Sequence, residues 1–241
     1  ILSVGRRTDI PNYYSDWFYN RIKEGFVCVR NPMNPHQVSR ISLSPDVVDC
    51  IVFWTKNPSP MLARLDELSA YSYYFQYTLT GYGRDVEKNL PGKKEVLIPA
   101  FQHLAEQIGS NRVVWRYDPI LFNEIYTPEY HLNAFRQIAE ALNGYTDQCV
   151  ISFVDTYAKN KASMKALGTY ELPETDLLAL TQELCRIANA NGIQVVSCAA
   201  QIDLSQCGVE HGSCIDKAWI EEILGCSITV SRDKNQRPEC G

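Results

Sequence analysis

The sequence predicts an α/β fold with a mostly parallel sheet, an open or partial barrel, and three observations predict it. Short apolar runs alternate with amphipathic stretches along the whole chain, which calls for parallel strands joined by right-handed crossovers. Nearly every apolar run ends in charged or polar residues, most sharply Arg112-Val113-Val114-Trp115-Arg116-Tyr117-Asp118-Pro119, as in barrels that build their sites from several strand ends. The turn after the first run, Gly5-Arg6-Arg7, matches poorly the glycine-rich phosphate turn that a doubly wound sheet would carry. With 241 residues, 45% of them hydrophobic, the chain has material for one sizeable core, and we expect a single domain.

The elements follow in order. Residues 1–4 form a strand, and Pro11 opens a helix with Tyr14, Trp17, Phe18 and Ile22 on one face, stopped at Gly25. Residues 26–43 are a Pro- and Asn-rich excursion, a loop or short hairpin expected over the barrel mouth. Strand 50–53 is followed by a helix started at Pro58 and Pro60 that carries Met61, Leu62, Leu65 and Leu68. Strand 73–79 leads into a polar loop, and a helix with Leu97, Phe101, Leu104 and Ile108 inward ends near Gly109. In strand 112–116 the β-branched valines suit burial, and Pro119, which cannot donate to a ladder, should stop the strand near Asp118. Thr127-Pro128 caps a helix with Leu132, Phe135, Ala139 and Leu142 inward. Strand 149–154, a helix from about residue 174 that stops at Asn191-Gly192, and strand 193–197 complete the repeat. Residues 204–241 are irregular, with a short helix around Trp219 and Leu224, and are expected to pack on the mouth of a barrel formed by residues 1–203.

A net charge of -5 gives no overall basic field for nucleic acid, although it leaves room for a local patch. No run is long enough for a membrane span and no leader pattern precedes the first strand, so a cytoplasmic protein without a membrane partner is expected. Nine cysteines, an odd number with several inside apolar strands, argue against a disulfide framework. Cys28, Cys50, Cys149 and Cys185 read as packing residues. Cys198 ends a strand, Cys214 lies near His211 and Asp216, and Cys240 sits in a polar tail; these three are either small residues or thiolates converging on a metal.

The charged strand ends are the other candidates. Arg6, Arg7, Lys56 and Arg116 suit an anionic cofactor or substrate group, Arg116 alternatively an ion pair with Asp118 at the rim. Glu87 suits a ribose hydroxyl or a turn, and Asp118 and Asp155 are candidate acid/base groups, with a capping role as the plainer reading of Asp155. His36, His103 and His131 read as surface or helix residues.

Five separated motifs carry a family resemblance: Leu2-Ser3-Val4-Gly5-Arg6-Arg7-Thr8-Asp9-Ile10-Pro11, Val52-Phe53-Trp54-Thr55-Lys56-Asn57-Pro58, Trp115-Arg116-Tyr117-Asp118-Pro119-Ile120, His211-Gly212-Ser213-Cys214-Ile215-Asp216 and Asp233-Lys234-Asn235-Gln236-Arg237. Together they make the chain resemble the bacterial family called domain of unknown function 1848. The resemblance implies a TIM-like partial (β/α)6 barrel and a longer tail with a Cys-x-x-x-Cys-x-Tyr-Cys segment, similar to the cluster motif of radical S-adenosylmethionine enzymes and the spore photoproduct lyase group. The sequence stops at Cys240-Gly241, before that segment, and is expected to be a fragment. Cys198, Cys214 and Cys240 resemble the family's cysteine positions. The expected function is an iron–sulfur enzyme of radical S-adenosylmethionine type, holding one cluster, or two in a full-length protein. The alternatives are a metal- or cluster-binding barrel without radical chemistry and a non-catalytic anion-binding barrel.

Overall fold

A parallel sheet whose strands follow one another in chain order organises the molecule. The computed structural model describes residues 1–31, 33–154, 160–198 and 202–231. Its elements are β1 (Leu2–Val4), α1 (Ile10–Tyr13), α2 (Ser15–Glu24), β2 (Phe26–Arg30), β3 (Val38–Ser42), β4 (Ile51–Thr55), α3 (Ser59–Leu62), β5 (Tyr73–Thr78), α4 (Ile98–Ile108), β6 (Val113–Ile120), α5 (Pro128–Ala141), β7 (Gln148–Phe153), α6 (Lys161–Ala166), α7 (Glu174–Asn189), β8 (Gln194–Cys198), β9 (Glu210–Gly212) and α8 (Lys217–Leu224). Seven strands pair in the order β1-β4-β5-β6-β7-β8-β9, all parallel. The sheet is open: β1 and β9 are its two edges and do not pair with each other.

Unbroken strand order with crossovers of one hand puts the connecting helices on one side of the sheet. That face carries Ile51, Phe53, Phe75, Tyr77, Val113, Trp115, Tyr117 and Ile151. They join Phe18, Phe101, Leu104, Phe135, Leu184 and Ile187 from the helices in the main core. Because side chains alternate along a strand, the intervening residues Val52, Trp54, Tyr74, Gln76, Val114, Arg116, Val150, Val196 and Cys198 share the opposite face. There a second cluster forms: Cys50, Val52, Tyr74, Val114, Val150, Val196 and Cys198 meet Ile220, with Trp219, Ile223 and Leu224 of α8 packed against them.

Three expectations change. The C-terminal segment contributes a strand, β9, that the polar sequence Glu210-His211-Gly212 gives no apolar signal for; its backbone pairs with Val196–Cys198. β6 continues past Pro119 to Ile120, because its register against β7 shifts between Tyr117 and Ile120, and this irregularity takes the proline, on a cis peptide bond, out of the ladder. Residues 26–42 do form a hairpin, β2 with β3, but at the strands' N-terminal end and not over the mouth. It follows α2, which runs back from the mouth, and Leu43 just after it accepts a hydrogen bond from Tyr71, which precedes β5. Cys28 is exposed on this hairpin, whereas Cys50, Cys149 and Cys185 are buried.

Helix α8 is held mainly by Ile220, which is 1% exposed in the second cluster. Ile220→Ala is therefore expected to cost about 2–5 kcal/mol in urea unfolding, within one transition for the whole chain. A loss below about 0.5 kcal/mol, the scale of ordinary surface changes, would mean that α8 does not rest on the sheet.

Candidate functional site

Cys198, the last residue of β8, and Cys214, two residues beyond β9, bring their sulfur atoms to 2.9 Å. Pairing of Cys198 with Gly212 carries the chain back to the end of β8, so that the next turn presents Cys214 to Cys198. Gly212 suits this close approach, since an added Cβ would lie 3.3 Å from the Ser197 carbonyl oxygen and from the Val196 side chain. The hydrogen bond with Cys214 lowers the pKa of Cys198 well below that of an ordinary thiol; burial opposes this, and the Arg116 charge reinforces it. Elsewhere burial dominates and pushes the Cys50 and Cys185 thiols up to about 11.

Arg116 stands in the same face of the sheet, 4% exposed. Its guanidinium forks onto Asp118, Nε to Oδ1 at 3.0 Å and Nη2 to Oδ2 at 2.6 Å, while Nη1 donates to Gln76 Oε1 at 3.1 Å. Gln76 in turn donates to the Cys214 carbonyl at 3.5 Å, so one chain of polar contacts runs from Asp118 to the thiol loop. Burial disfavours the Arg116 charge, but the Asp118 carboxylate outweighs it and raises the guanidinium pKa above its ordinary value. Of the two sequence alternatives for Arg116, the structure contains the rim pair. The Arg116 guanidinium also lies over the Trp54 ring, 5.0 Å from its centroid, and Arg6 lies 5.7 Å from the same centroid. Trp54 is fixed by donating to Ser3 Oγ at 3.0 Å. The approach of β1 to Trp54 requires Gly5: its φ is +103°, and a Cβ there would meet the Trp54 carbonyl oxygen at 2.3 Å.

Lys56 and Glu87 meet at the same end of the sheet. Glu87, with its side chain 6% exposed, pairs through one oxygen with Lys56 and through the other with Lys93 at 2.5 Å. Its carboxylate is thus committed to two ammonium groups. Asp9 pairs with neither Arg6 nor Arg7. It caps α1 through the Asn12 amide and accepts from Thr55 Oγ1 and the Lys56 amide, both at 2.8 Å, and burial, as the largest influence, raises its pKa. Asp155 and Cys240 lie outside the described residues. Among the described residues no group of three or more potential ligands converges on a metal position. His211 pairs beside Ser197, on the other side of β8 from Cys198, and lines a surface recess with Asp203, Leu204 and Glu210. His131 is no surface residue: it is fully buried in α5, bonded to Tyr117 Oη and the Leu121 carbonyl, and burial lowers its pKa.

Sequence reasoning missed Gln76, the link between Arg116 and the thiol loop, and named Trp54 only within a family motif. A signal existed. Gln76 is the one amide within the otherwise aromatic run Tyr73-Tyr74-Phe75-Gln76-Tyr77, and a buried amide needs polar partners.

Two outcomes are expected from this geometry. Asp118→Ala leaves Arg116 buried without its carboxylate and is expected to cost about 3–5 kcal/mol, whereas Arg116→Met combined with Asp118→Ala is expected to recover most of that loss in urea unfolding. A double variant as unstable as the single one would show that Arg116 acts through contacts other than Asp118. Alkylation of Cys198 is expected to have its pH midpoint below the value of about 8.5 typical of unperturbed thiols, because a lowered pKa keeps the thiolate populated at lower pH. Cys214→Ser should move that midpoint upward, and peptide mapping after iodoacetamide at a series of pH values measures both.

Among the described residues no helix is long and apolar enough to cross a membrane. No curated protein and no solved structure matches the chain. The family model that matches is the domain of unknown function DUF1848, and it covers residues 1–241. The match spans the whole chain, which therefore belongs to the DUF1848 family.

Proposed function

We propose that this protein is an iron–sulfur enzyme in which Cys198 and Cys214 supply two of the cluster's thiolates. The observation that carries the reading is the convergence of two thiols at 2.9 Å, one with a lowered pKa, on a charged face of a parallel sheet. Thiolates are the donors that iron–sulfur clusters and zinc take, so this donor pair fits such a group. Cys240 is the natural further ligand. The sheet is read as a partial (β/α)6 barrel, supported by its unbroken strand order and by helices packed on one face. The resemblance to radical S-adenosylmethionine proteins supplies the finer reaction class.

When bound, a cluster of that type supplies one electron for cleavage of S-adenosylmethionine. The chain's own residues do the rest. Arg116, locked by Asp118 and Gln76, keeps a positive charge beside the thiolates and offsets part of theirs. Trp54 stands at the rim above the apolar floor that α8 covers, and together they exclude water from reacting groups. Arg6, Arg7 and Lys56 stand where an anionic part of cofactor or substrate would enter, while Asp118 is too committed to Arg116 to serve first as a proton acceptor.

Anaerobic reconstitution with iron and sulfide is the test. The wild-type chain is expected to retain iron and acid-labile sulfide with broad visible absorbance, and Cys198→Ser and Cys214→Ser each to lose most of it. Cys28→Ser should retain it. Iron content unchanged in the Cys198→Ser, Cys214→Ser double variant would overturn the reading. Formation of 5′-deoxyadenosine from S-adenosylmethionine by the reconstituted, reduced protein distinguishes radical chemistry from a cluster without it.

A further inference from the structure

The first seventeen residues carry exposed aromatic rings that the thiol site does not use, beside the two arginines at its edge. Tyr13, Tyr14 and Trp17 are 55%, 52% and 45% exposed, although Phe18 and Tyr19 beside them are 3% and 1% exposed in the core. Arg6 and Arg7 are both exposed, and neither side chain makes an ion pair or hydrogen bond among the described residues. Arg6 is held over Trp54, which leaves its guanidinium edge to an incoming acceptor.

These groups are contiguous. The amide of Tyr13 bonds the Asp9 carbonyl at 3.0 Å, so Tyr13 stands one helical turn above Asp9, and Asp9 is two residues from Arg7. Two extended residues and one turn together span about 13 Å at most, within reach of two long side chains. Tyr14 caps α2, its carbonyl accepting the Phe18 amide, and Trp17 lies in the first turn that follows, so both exposed residues stand at the start of this helix. Nearby carboxylates do not neutralise the arginines: Asp9 is committed to Thr55, Lys56 and Asn12, and Asp16 to Arg64. A basic, ring-bearing patch thus stands on a chain of net charge -5.

We propose that this patch binds single-stranded nucleic acid, with Arg6 and Arg7 on phosphates and Tyr13, Tyr14 and Trp17 stacked on bases. Cations without carboxylate partners suit a polyanion, and exposed rings stack on bases only where the strand is unpaired. The proposal does not depend on the cluster.

Fluorescence anisotropy of labelled oligo(dT) and oligo(U) at low salt tests it on the whole chain. The Tyr14→Ala, Trp17→Ala variant is expected to bind at least about 10-fold more weakly, the scale of losing one or two stacked bases. The Arg6→Gln, Arg7→Gln variant is expected to reduce the slope of log affinity against log salt by about 1.4, or about 0.7 per phosphate, and the matching lysine variant to keep it. All these positions are exposed, and thermal melting identical to wild type identifies the variants that are folded; Trp17→Gln is the substitute if alanine disturbs α2. No binding, equal affinity in all variants, or equal competition by a duplex overturns the proposal. So does self-association that the aromatic variant abolishes, which would make the surface a contact between protein copies.

Discussion

The contact on which the rest of the site depends is the fork between Arg116 and Asp118. A guanidinium that is 4% exposed inside a sheet face is tolerable only because a carboxylate two residues along the same strand takes two of its donors. The spacing is dictated by the strand, since residues two apart point to one side. Register across β5 and β6 then matters as much as the pair itself. Thr78 faces Arg116 and Gln76 faces Val114, so Gln76 lies diagonally within reach of Nη1 and carries the contact on to the Cys214 backbone. Removing the fork would disturb Trp54 stacking and the thiol loop together.

The two faces of the sheet divide the work by chemistry. On the helix-covered face the strand residues are aromatic and β-branched, and stacked pairs such as Phe53 with Phe75 and Trp115 with Phe135 fill it. On the other face the apolar residues lie in the early part of each strand, where α8 covers them, and the polar ones at the C-terminal part. Val52 precedes Trp54, Tyr74 precedes Gln76, Val114 precedes Arg116 and Val196 precedes Cys198. The polarity gradient along the strands is therefore what separates floor from rim. It also explains why Trp219 Nε1 has no hydrogen-bond partner among the described residues: it sits at the floor, where apolar packing took precedence.

Much of this was legible in the sequence, for particular reasons. Alternation of apolar runs and amphipathic stretches reveals the parallel sheet because its central strands, β4 to β8, are largely buried and read as hydrophobic runs. Arg116, Asp118 and Lys56 stand out because charge at the end of such a run has no packing role, and Cys198 because a thiol closes a strand at the polar rim. β9 was invisible, since its stability comes from backbone pairing with β8 and not from its side chains. The hairpin's place at the far end of the sheet depends on where α2 ends, which local composition does not encode. The commitments of Glu87 to Lys93 and of Gln76 to Arg116 join residues by tertiary register, and no local pattern carries that information.

Bringing Cys214 to Cys198 is a long-range act with a short-range cause. The fifteen residues between them contain few apolar anchors, Leu204 and Val209 being the buried ones among the described residues, so burial alone orders this stretch weakly. What fixes it instead is a sequence of backbone constraints: β9 pairs with β8, Gly212 allows the close approach, and Asp216 caps α8 through the Trp219 amide. Ile220 then anchors α8 on the sheet. The helix that completes the floor and the loop that delivers the thiol are consecutive in the chain. Anything that loosens α8 therefore loosens Cys214 as well, and any ion gripped by both thiols stabilises the packing of α8 in return, because binding energy at the rim and burial at the floor act on one short segment.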